Sequence, residues 1–126
     1  MNSSKRVLAF LFALLLLPQL PADAQDTQKK GSFYTVADYG LDRDPTQDLE
    51  ATVERAQAEG KRILIQVGGE WCGWCHLLDA FIHDHETIFA KMEAGFLIMK
   101  VNYSRENYNQ EFLGQYPEIP GYPHLY

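Results

Sequence analysis

The only two cysteines of this 126-residue chain, Cys72 and Cys75, lie three residues apart in the segment GGEWCGWCHLL, residues 68–78. Two thiols at this spacing, with His76 directly after them, are compatible with four kinds of site. They could form a structural disulfide, supply part of a zinc site, attach a haem covalently or act as a redox-active dithiol. The sequence around the two cysteines favours some of these four kinds of site over others.

A structural disulfide and a zinc site are the weaker interpretations. A disulfide that closes so small a ring stabilises the fold by only about 2 kcal/mol through loop entropy. A closed zinc site needs four ligands, and the chain has no second cysteine pair. His83 and His85 are two residues apart, so on a helix they would point in different directions. We therefore expect no metal at the cysteines.

A covalently bound haem is the alternative that stays open. CGWCH matches the attachment signal of c-type haem, in which His76 would be one axial ligand and Met92 or Met99 the other. Small c-type cytochromes are helical, however, whereas this segment follows the strand-like run ILIQV, and Met99 lies in another predicted strand. We keep a c-type haem-binding electron carrier as the alternative function.

The elements around the cysteines favour a redox-active dithiol. Apolar runs at 63–67 and 96–103 predict two buried strands, and apolar residues at helical spacing predict helices over 45–59, from about Cys72 onwards and over 86–94. A further short helix, capped by Ser104, is expected before the loop PEIPGYP. This order of helices and strands predicts an α/β domain with parallel strands.

This arrangement gives the two cysteines different environments. A strand, a glycine turn and a helix that begins at the first cysteine place Cys72 at a helix N-terminus. Unpaired backbone N–H groups and the helix dipole stabilise a thiolate there, and the thiolate is the nucleophilic form of the sulfur. Cys75 lies one turn further along, shielded but close enough to form a disulfide. An exposed, activated thiol beside a shielded one is what thiol–disulfide exchange requires.

ILIQVGGEWCGWC, the amphipathic helix after it and GYPHLY some fifty residues later resemble the thioredoxin superfamily, in particular exported thioredoxin-like domains with a Trp-Cys-x-x-Cys motif. The resemblance runs from about Asp48 to Tyr126. It implies an α/β, thioredoxin-like fold with a central mixed sheet flanked by helices. Because the chain stops three residues after Pro123, we expect the last hairpin and helix of that fold to be missing.

The resemblance also implies a function and its residues. The protein would be a thiol–disulfide oxidoreductase that needs no cofactor, with Cys72 attacking and Cys75 resolving in a reversible disulfide. Its substrate-binding residues would be Trp71, Trp74, Tyr122 and Pro123. A cis peptide bond is expected before Pro123, and Trp74 would either contact the substrate or pack against the neighbouring loop.

Two positions depart from the family pattern. Gln66 stands in the buried strand where thioredoxins usually carry an acidic residue that assists proton transfer to the second cysteine. That role would pass to water, to Glu70 or to nothing. The dipeptide between the cysteines is Gly-Trp instead of Gly-Pro. His76, when cationic, would favour the Cys72 thiolate; otherwise it is an exposed residue without a role.

Residues 1–24 predict a secretory signal peptide. Lys5 and Arg6 precede an apolar run, residues 7–17, that is too short to span a bilayer comfortably, and Ala22-Asp23-Ala24 offers a cleavage site. Residues 25–44 are expected to form a mobile tail and lead-in, and residues 45–126 the thioredoxin-like domain, truncated at its C-terminus.

The net charge and the expected location of the protein limit the kinds of partner it can bind. Without residues 1–24, the 11 basic and 17 acidic residues fall to 9 and 16, a net charge of −7, which offers no electrostatic footprint for nucleic acid or anionic lipid. We expect a periplasmic location, where disulfides persist, no membrane association of the mature form and a monomer. The expected partners are protein or peptide thiols and disulfides, together with an unknown redox partner.

Overall fold

The computed structural model describes residues 32–126, so the predicted signal peptide and residues 25–31 of the predicted tail lie outside the described residues. The strands are β1 (Tyr34–Val36), β2 (Arg62–Gly68), β3 (Phe96–Asn102) and β4 (His124–Leu125). The helices are α1 (Pro45–Glu59), α2 (Gly73–Asp84), α3 (Glu86–Gly95) and α4 (Gln110–Leu113). Within this part of the chain, no helix is long and apolar enough to cross a bilayer.

The four strands form one mixed sheet in the order β1-β3-β2-β4. β3 is parallel to both β1 and β2, whereas β4 runs antiparallel to β2. The register places Gln66 of β2 opposite Lys100 of β3 on one side and opposite Leu125 of β4 on the other. The predicted α/β fold with a central mixed sheet and flanking helices is therefore confirmed.

The predicted helix at 45–59 is found with the expected ends. The Asp44 carboxylate accepts hydrogen bonds from the backbone N–H groups of Thr46 and Gln47, and Pro45 occupies the first helical position. Gly60 ends the helix with φ 64°, a conformation that glycine adopts without steric cost. These local signals fix where α1 begins and ends, directly before the strand that leads to the cysteines.

The core lies on both faces of β3, because successive side chains of a strand point to opposite faces of the sheet. On one face, Met99 and Val101 pack in a cluster that includes Phe112 of α4. On the other face, Ile98 packs in a cluster with Ile82 of α2. Burying these apolar side chains is the main stabilising term of the fold.

The folded part begins before residue 45. Phe33 and Tyr34 are both buried in the second of these core clusters, and β1 pairs with β3 at the edge of the sheet. The segment 33–36, assigned from the sequence to the lead-in before the domain, therefore supplies a strand and core side chains.

The predicted short helix before the loop PEIPGYP is found as α4, but its predicted start at a Ser104 cap is wrong. The Ser104 hydroxyl instead accepts hydrogen bonds from the Asn102 side chain at 3.2 Å and from the Asn107 backbone N–H at 3.4 Å. Such local side-chain bonds compete with helix formation. They hold the segment as a loop, and α4 begins only at Gln110, after Asn109 with φ 45°.

Candidate active site

Cys72 and Cys75 form a disulfide at the start of α2, with S–S 2.01 Å and Cα atoms 5.2 Å apart. Cys72 is the N-cap of α2 in an extended backbone conformation, and its sulfur accepts the backbone N–H of Cys75 at 3.2 Å. The predicted placement of Cys72 at a helix N-terminus is confirmed. This position favours negative charge on the Cys72 sulfur, because free N–H groups and the positive end of the helix dipole face it.

Cys72 is less accessible than we expected. It is 3% exposed and Cys75 is 0% exposed, so the difference has the expected direction but is small. Tyr39 and Tyr122 pack against the pair and cover it. Tyr39 precedes α1 and Tyr122 precedes β4, so this cover is built from segments distant in sequence. At 3% exposure, Cys72 offers a substrate sulfur little direct access in this structure.

Gly68, the last residue of β2, allows the second sulfur to lie against the sheet. A Cβ atom at this position would be 2.4 Å from the Cys75 sulfur and 3.0 Å from the Tyr39 hydroxyl oxygen. The first separation is too short for a Cβ unless the sulfur shifts, and the second is a tight contact. The absence of a side chain at Gly68 is thus what brings Cys75 and the Tyr39 hydroxyl together at the end of the strand.

An aromatic row extends from the disulfide along the surface. It consists of Trp71, Tyr122, Tyr103 and Tyr108, whose successive ring centroids are 5.3, 5.2 and 5.1 Å apart. The indole N–H of Trp71 donates to the Tyr103 carbonyl oxygen at 2.8 Å, which fixes one end of the row. Beside it lies an open cavity of about 320 Å³, lined by Trp71, Tyr103, Ser104, Arg105, Glu106 and Tyr108.

The structure brings some of the predicted binding residues together and leaves one apart. The Tyr122–Pro123 peptide bond is cis, as the resemblance implied, and Tyr122 packs on the cysteines. Trp71 is 57% exposed and contacts Tyr122 edge-on. Trp74 is 72% exposed, too open for packing against the neighbouring loop, and points into solvent. Tyr103 and Tyr108 were not predicted, although aromatic residues directly after a buried strand were a signal for them.

A buried polar chain consists of Lys100, Asp79, Gln66 and Tyr39, and it ends at Tyr39, which packs against the disulfide. The Lys100 ammonium donates to Asp79 Oδ2 at 2.6 Å. Gln66, which is 0% exposed, donates from Nε2 to Asp79 Oδ1 at 3.2 Å and to the Tyr39 hydroxyl oxygen at 2.9 Å. The chain therefore links a buried ion pair to the side chain that covers the cysteines.

The polar chain places an acidic side chain beside Gln66, which stands where thioredoxins usually carry an acidic residue. Asp79 is the acidic residue next to Gln66, and it was not predicted from the sequence. It lies four residues after Cys75, hence on the same face of α2, which was the available signal. Glu70 instead has a 68% exposed side chain, and its carboxylate is 3.7 Å from His76 Nε2.

Tyr39 and Tyr122, the two tyrosines that pack against the disulfide, both have raised pKa values. Burial, together with the negative charge of Asp79, raises the pKa of Tyr39 to about 12, although the hydrogen bond from Gln66 acts in the opposite direction. Burial and the neighbouring Tyr103 raise the pKa of Tyr122 to about 12. Both hydroxyls remain protonated at neutral pH and can act as hydrogen-bond donors.

The positions of the proposed haem ligands give the alternative no support. Met99 is wholly buried in the sheet and belongs to the core cluster with Phe112. Met92 packs on the other core cluster, and neither methionine belongs to the cluster around the cysteines. His76 directs Nε2 to the Glu70 carbonyl oxygen at 3.0 Å.

Comparisons with known proteins bear on this fold and this site. No curated protein and no solved structure matches the chain. The sequence profile of a family described as thioredoxin-like matches residues 44–126, a stretch that contains both cysteines and the Tyr122–Pro123 bond. A cysteine pair in a domain of this kind indicates thiol–disulfide redox activity. The chain belongs to the thioredoxin-like family.

Proposed function

We propose that the protein is a periplasmic thiol–disulfide oxidoreductase that exchanges disulfides with protein or peptide substrates through Cys72 and Cys75. The observation that carries this proposal is the position of Cys72 as the N-cap of α2, with its sulfur accepting a helix N–H. This position activates one thiol of the pair selectively. Cys75, inside the first turn and wholly buried, suits an intramolecular resolving role.

In the reducing direction, the Cys72 thiolate attacks one sulfur of a substrate disulfide. A bond forms between Cys72 and that sulfur, and the other substrate sulfur leaves as a thiolate. Cys75, once deprotonated, attacks Cys72, restores the internal disulfide and releases the second substrate thiolate. Two electrons pass from the dithiol to the substrate, and a thiol-containing redox partner returns them. The oxidising direction is the reverse sequence.

Substrate binding is assigned to the surface around Cys72. Trp71 contacts Tyr122, which packs on the cysteines and is joined to Pro123 by the cis bond, and Trp74 offers a large solvent-facing ring. Aromatic side chains provide contact area at low entropic cost, which suits extended polypeptides of varied sequence. We assign no cofactor to the reaction.

The test of this activity is insulin reduction with dithiothreitol as donor, followed by turbidity, on the full chain. We expect turnover by the wild type and none by Cys72→Ser, while circular dichroism shows that the variant is folded. Turnover by Cys72→Ser equal to that of the wild type would refute the proposal. Sharp visible absorption of the exported protein, without disulfide exchange, would instead favour the haem carrier.

Export is tested separately. We propose that residues 1–24 direct the chain to the periplasm, that the mature form is a monomer and that it remains off the membrane. Expression in a bacterium followed by osmotic shock should release a shortened protein, cleaved after Ala24. Replacing Lys5 and Arg6 by Glu should retain the uncleaved protein in the cytoplasm. Wild-type protein found uncleaved in the cytoplasm would contradict the assignment.

A further inference from the structure

The buried polar chain has a defined direction of donation. Lys100, with a side chain 9% exposed, can only donate, and its ammonium lies 2.6 Å from Asp79 Oδ2. The Asp79 carboxylate can only accept, so the side-chain amide of Gln66 must turn its nitrogen towards Asp79 Oδ1. The Gln66 carbonyl oxygen has no hydrogen-bond partner among residues 32–126, so the carboxylate and not that oxygen sets the amide orientation.

The orientation of Gln66 determines that of Tyr39. The same amide nitrogen lies 2.9 Å from the Tyr39 hydroxyl oxygen. Since an amide nitrogen only donates, the Tyr39 oxygen accepts this bond. The hydroxyl hydrogen of Tyr39 is therefore left for a different acceptor. Tyr39 is 2% exposed, so that acceptor has to be found inside the protein or in a buried water.

The Cys75 sulfur lies close to this hydroxyl, and the disulfide form has no hydrogen bond between them among residues 32–126. A single point, the place of a Cβ on Gly68, is 2.4 Å from the sulfur and 3.0 Å from the hydroxyl oxygen, so the two atoms are at most about 5.4 Å apart. Tyr39 and both cysteines form one buried cluster. In the disulfide the sulfur is a weak acceptor, whereas a Cys75 thiolate in the reduced protein is a charged one.

We propose that the Tyr39 hydroxyl donates a hydrogen bond to the reduced Cys75 sulfur and so positions and stabilises the resolving thiolate. This inference rests on the proposed dithiol exchange and gives Tyr39 a role in its second step, the attack of Cys75 on Cys72. When Cys75 loses its proton to water, the electron pair stays on sulfur and Tyr39 keeps its own proton. The hydrogen bond from Tyr39 then stabilises the negative charge of the Cys75 thiolate, in a site that solvent barely reaches.

Other charged groups face the same site and must be held constant. Asp79 and Lys100 approach from α2 and β3, and Glu70 acts from the turn before α2. Tyr39→Phe keeps the ring, including its contact with the Lys100 ammonium 5.2 Å from the ring centroid. Tyr34→Phe is the matched control, because Tyr34 donates to the same Asp79 carboxylate at 3.5 Å but belongs to the core cluster on the other side.

The experiment titrates Cys75 alone, by thiolate absorbance in the full chain carrying Cys72→Ser. We expect Tyr39→Phe to move the titration midpoint about one unit upwards, because a charge-assisted hydrogen bond is lost. With both cysteines present, and at a pH above the Cys75 midpoint, where the reduced protein carries the thiolate, the equilibrium with glutathione should shift about tenfold towards the disulfide, equivalent to about 30 mV. Tyr34→Phe should change either quantity less than twofold. An unmoved midpoint in Tyr39→Phe, or an equal shift in Tyr34→Phe, would overturn the proposal.

A second substitution guards against misfolding of Tyr39→Phe. 3-Fluorotyrosine at position 39 keeps the shape of the side chain but is a stronger donor, so it should move the Cys75 midpoint downwards. A midpoint that stays or rises would contradict the proposed bond. These titrations need no turnover. Loss of insulin reduction with the shifts intact would therefore reject the proposed function and leave the bond standing, and the converse result would reject the bond alone.

Discussion

Gly68→Ala probes the contact on which the arrangement of the site depends. The added methyl carbon would be 2.4 Å from the Cys75 sulfur and 3.0 Å from the Tyr39 hydroxyl oxygen. Neither neighbour can move easily, because Cys75 is in the first turn of α2 and Tyr39 is bound to Gln66. The strand cannot shift either, since Gly68 pairs with Asn102 at the end of a seven-residue ladder.

The expected cost follows from these constraints. Inserting a methyl group into a packed interior typically costs about 1–3 kcal/mol. Replacing glycine also restricts the unfolded chain, which returns about 0.4–1 kcal/mol. We therefore expect Gly68→Ala to lower the free energy of unfolding by about 1–2 kcal/mol. The disulfide ties Cys75 to Cys72, so the loss should be larger in the oxidised than in the reduced protein.

Urea unfolding of both redox states measures this directly. Gly95→Ala is the control, because a Cβ at Gly95 would have no atom within 4 Å in the described structure apart from its chain neighbours and its own helix backbone. At the end of α3, alanine should leave stability unchanged or raise it by up to about 1 kcal/mol. If Gly68→Ala proved as stable as Gly95→Ala in both redox states, the close approach of Cys75 to the strand would be refuted.

Three other perturbations test the site. Asp79→Leu should lower the free energy of unfolding, measured in urea, by about 3–5 kcal/mol, because it leaves the Lys100 charge buried without its partner. Adding Lys100→Met to this variant should recover most of the lost stability. If the two substitutions instead lowered stability additively, the pairing would be contradicted. Because the pKa of Tyr39 is raised to about 12 in the fold, its contribution to stability should be complete below pH 10 and fall by about 2 kcal/mol by pH 12, in addition to the loss from Tyr122. Tyr39→Phe should therefore lose less stability than the wild type over this range, and an unchanged slope would argue against this. Trp71→Phe removes the hydrogen bond to Tyr103. If Trp71 binds the substrate, this change should raise KM for peptide substrates several-fold and change kcat little. A change in kcat with an unchanged KM would refute a binding role.

Local signals in the sequence were sufficient for the elements that carry the cysteines. Asp44-Pro45 and Gly60 marked both ends of α1, and apolar runs marked β2 and β3. Each of these features is encoded within a few adjacent residues. The start of α2 at Cys72 followed in the same way, from a glycine turn between a strand and an amphipathic segment.

Features that depend on strand register or on distant segments could not be predicted in this way. The pairing of Gln66 with Lys100 follows from the alignment of β2 with β3, which no local pattern states. The low exposure of Cys72 arises because Tyr39 and Tyr122 come from far apart in the chain to cover it. Ser104 failed as a helix cap because its hydroxyl found partners within its own loop.

The central claim is that Cys72 is the sulfur that attacks a substrate, and trapping the mixed disulfide tests it most directly. Full-length Cys75→Ser and Cys72→Ser proteins would each be incubated with a disulfide-linked peptide, and adducts would be located by mass spectrometry without reduction. We expect Cys75→Ser to form a stable adduct at Cys72, and Cys72→Ser to form one at least tenfold more slowly, because only Cys72 has the activating N-cap position and Cys75 is wholly buried inside the first turn. Equal rates, or an adduct only on Cys75, would contradict the account.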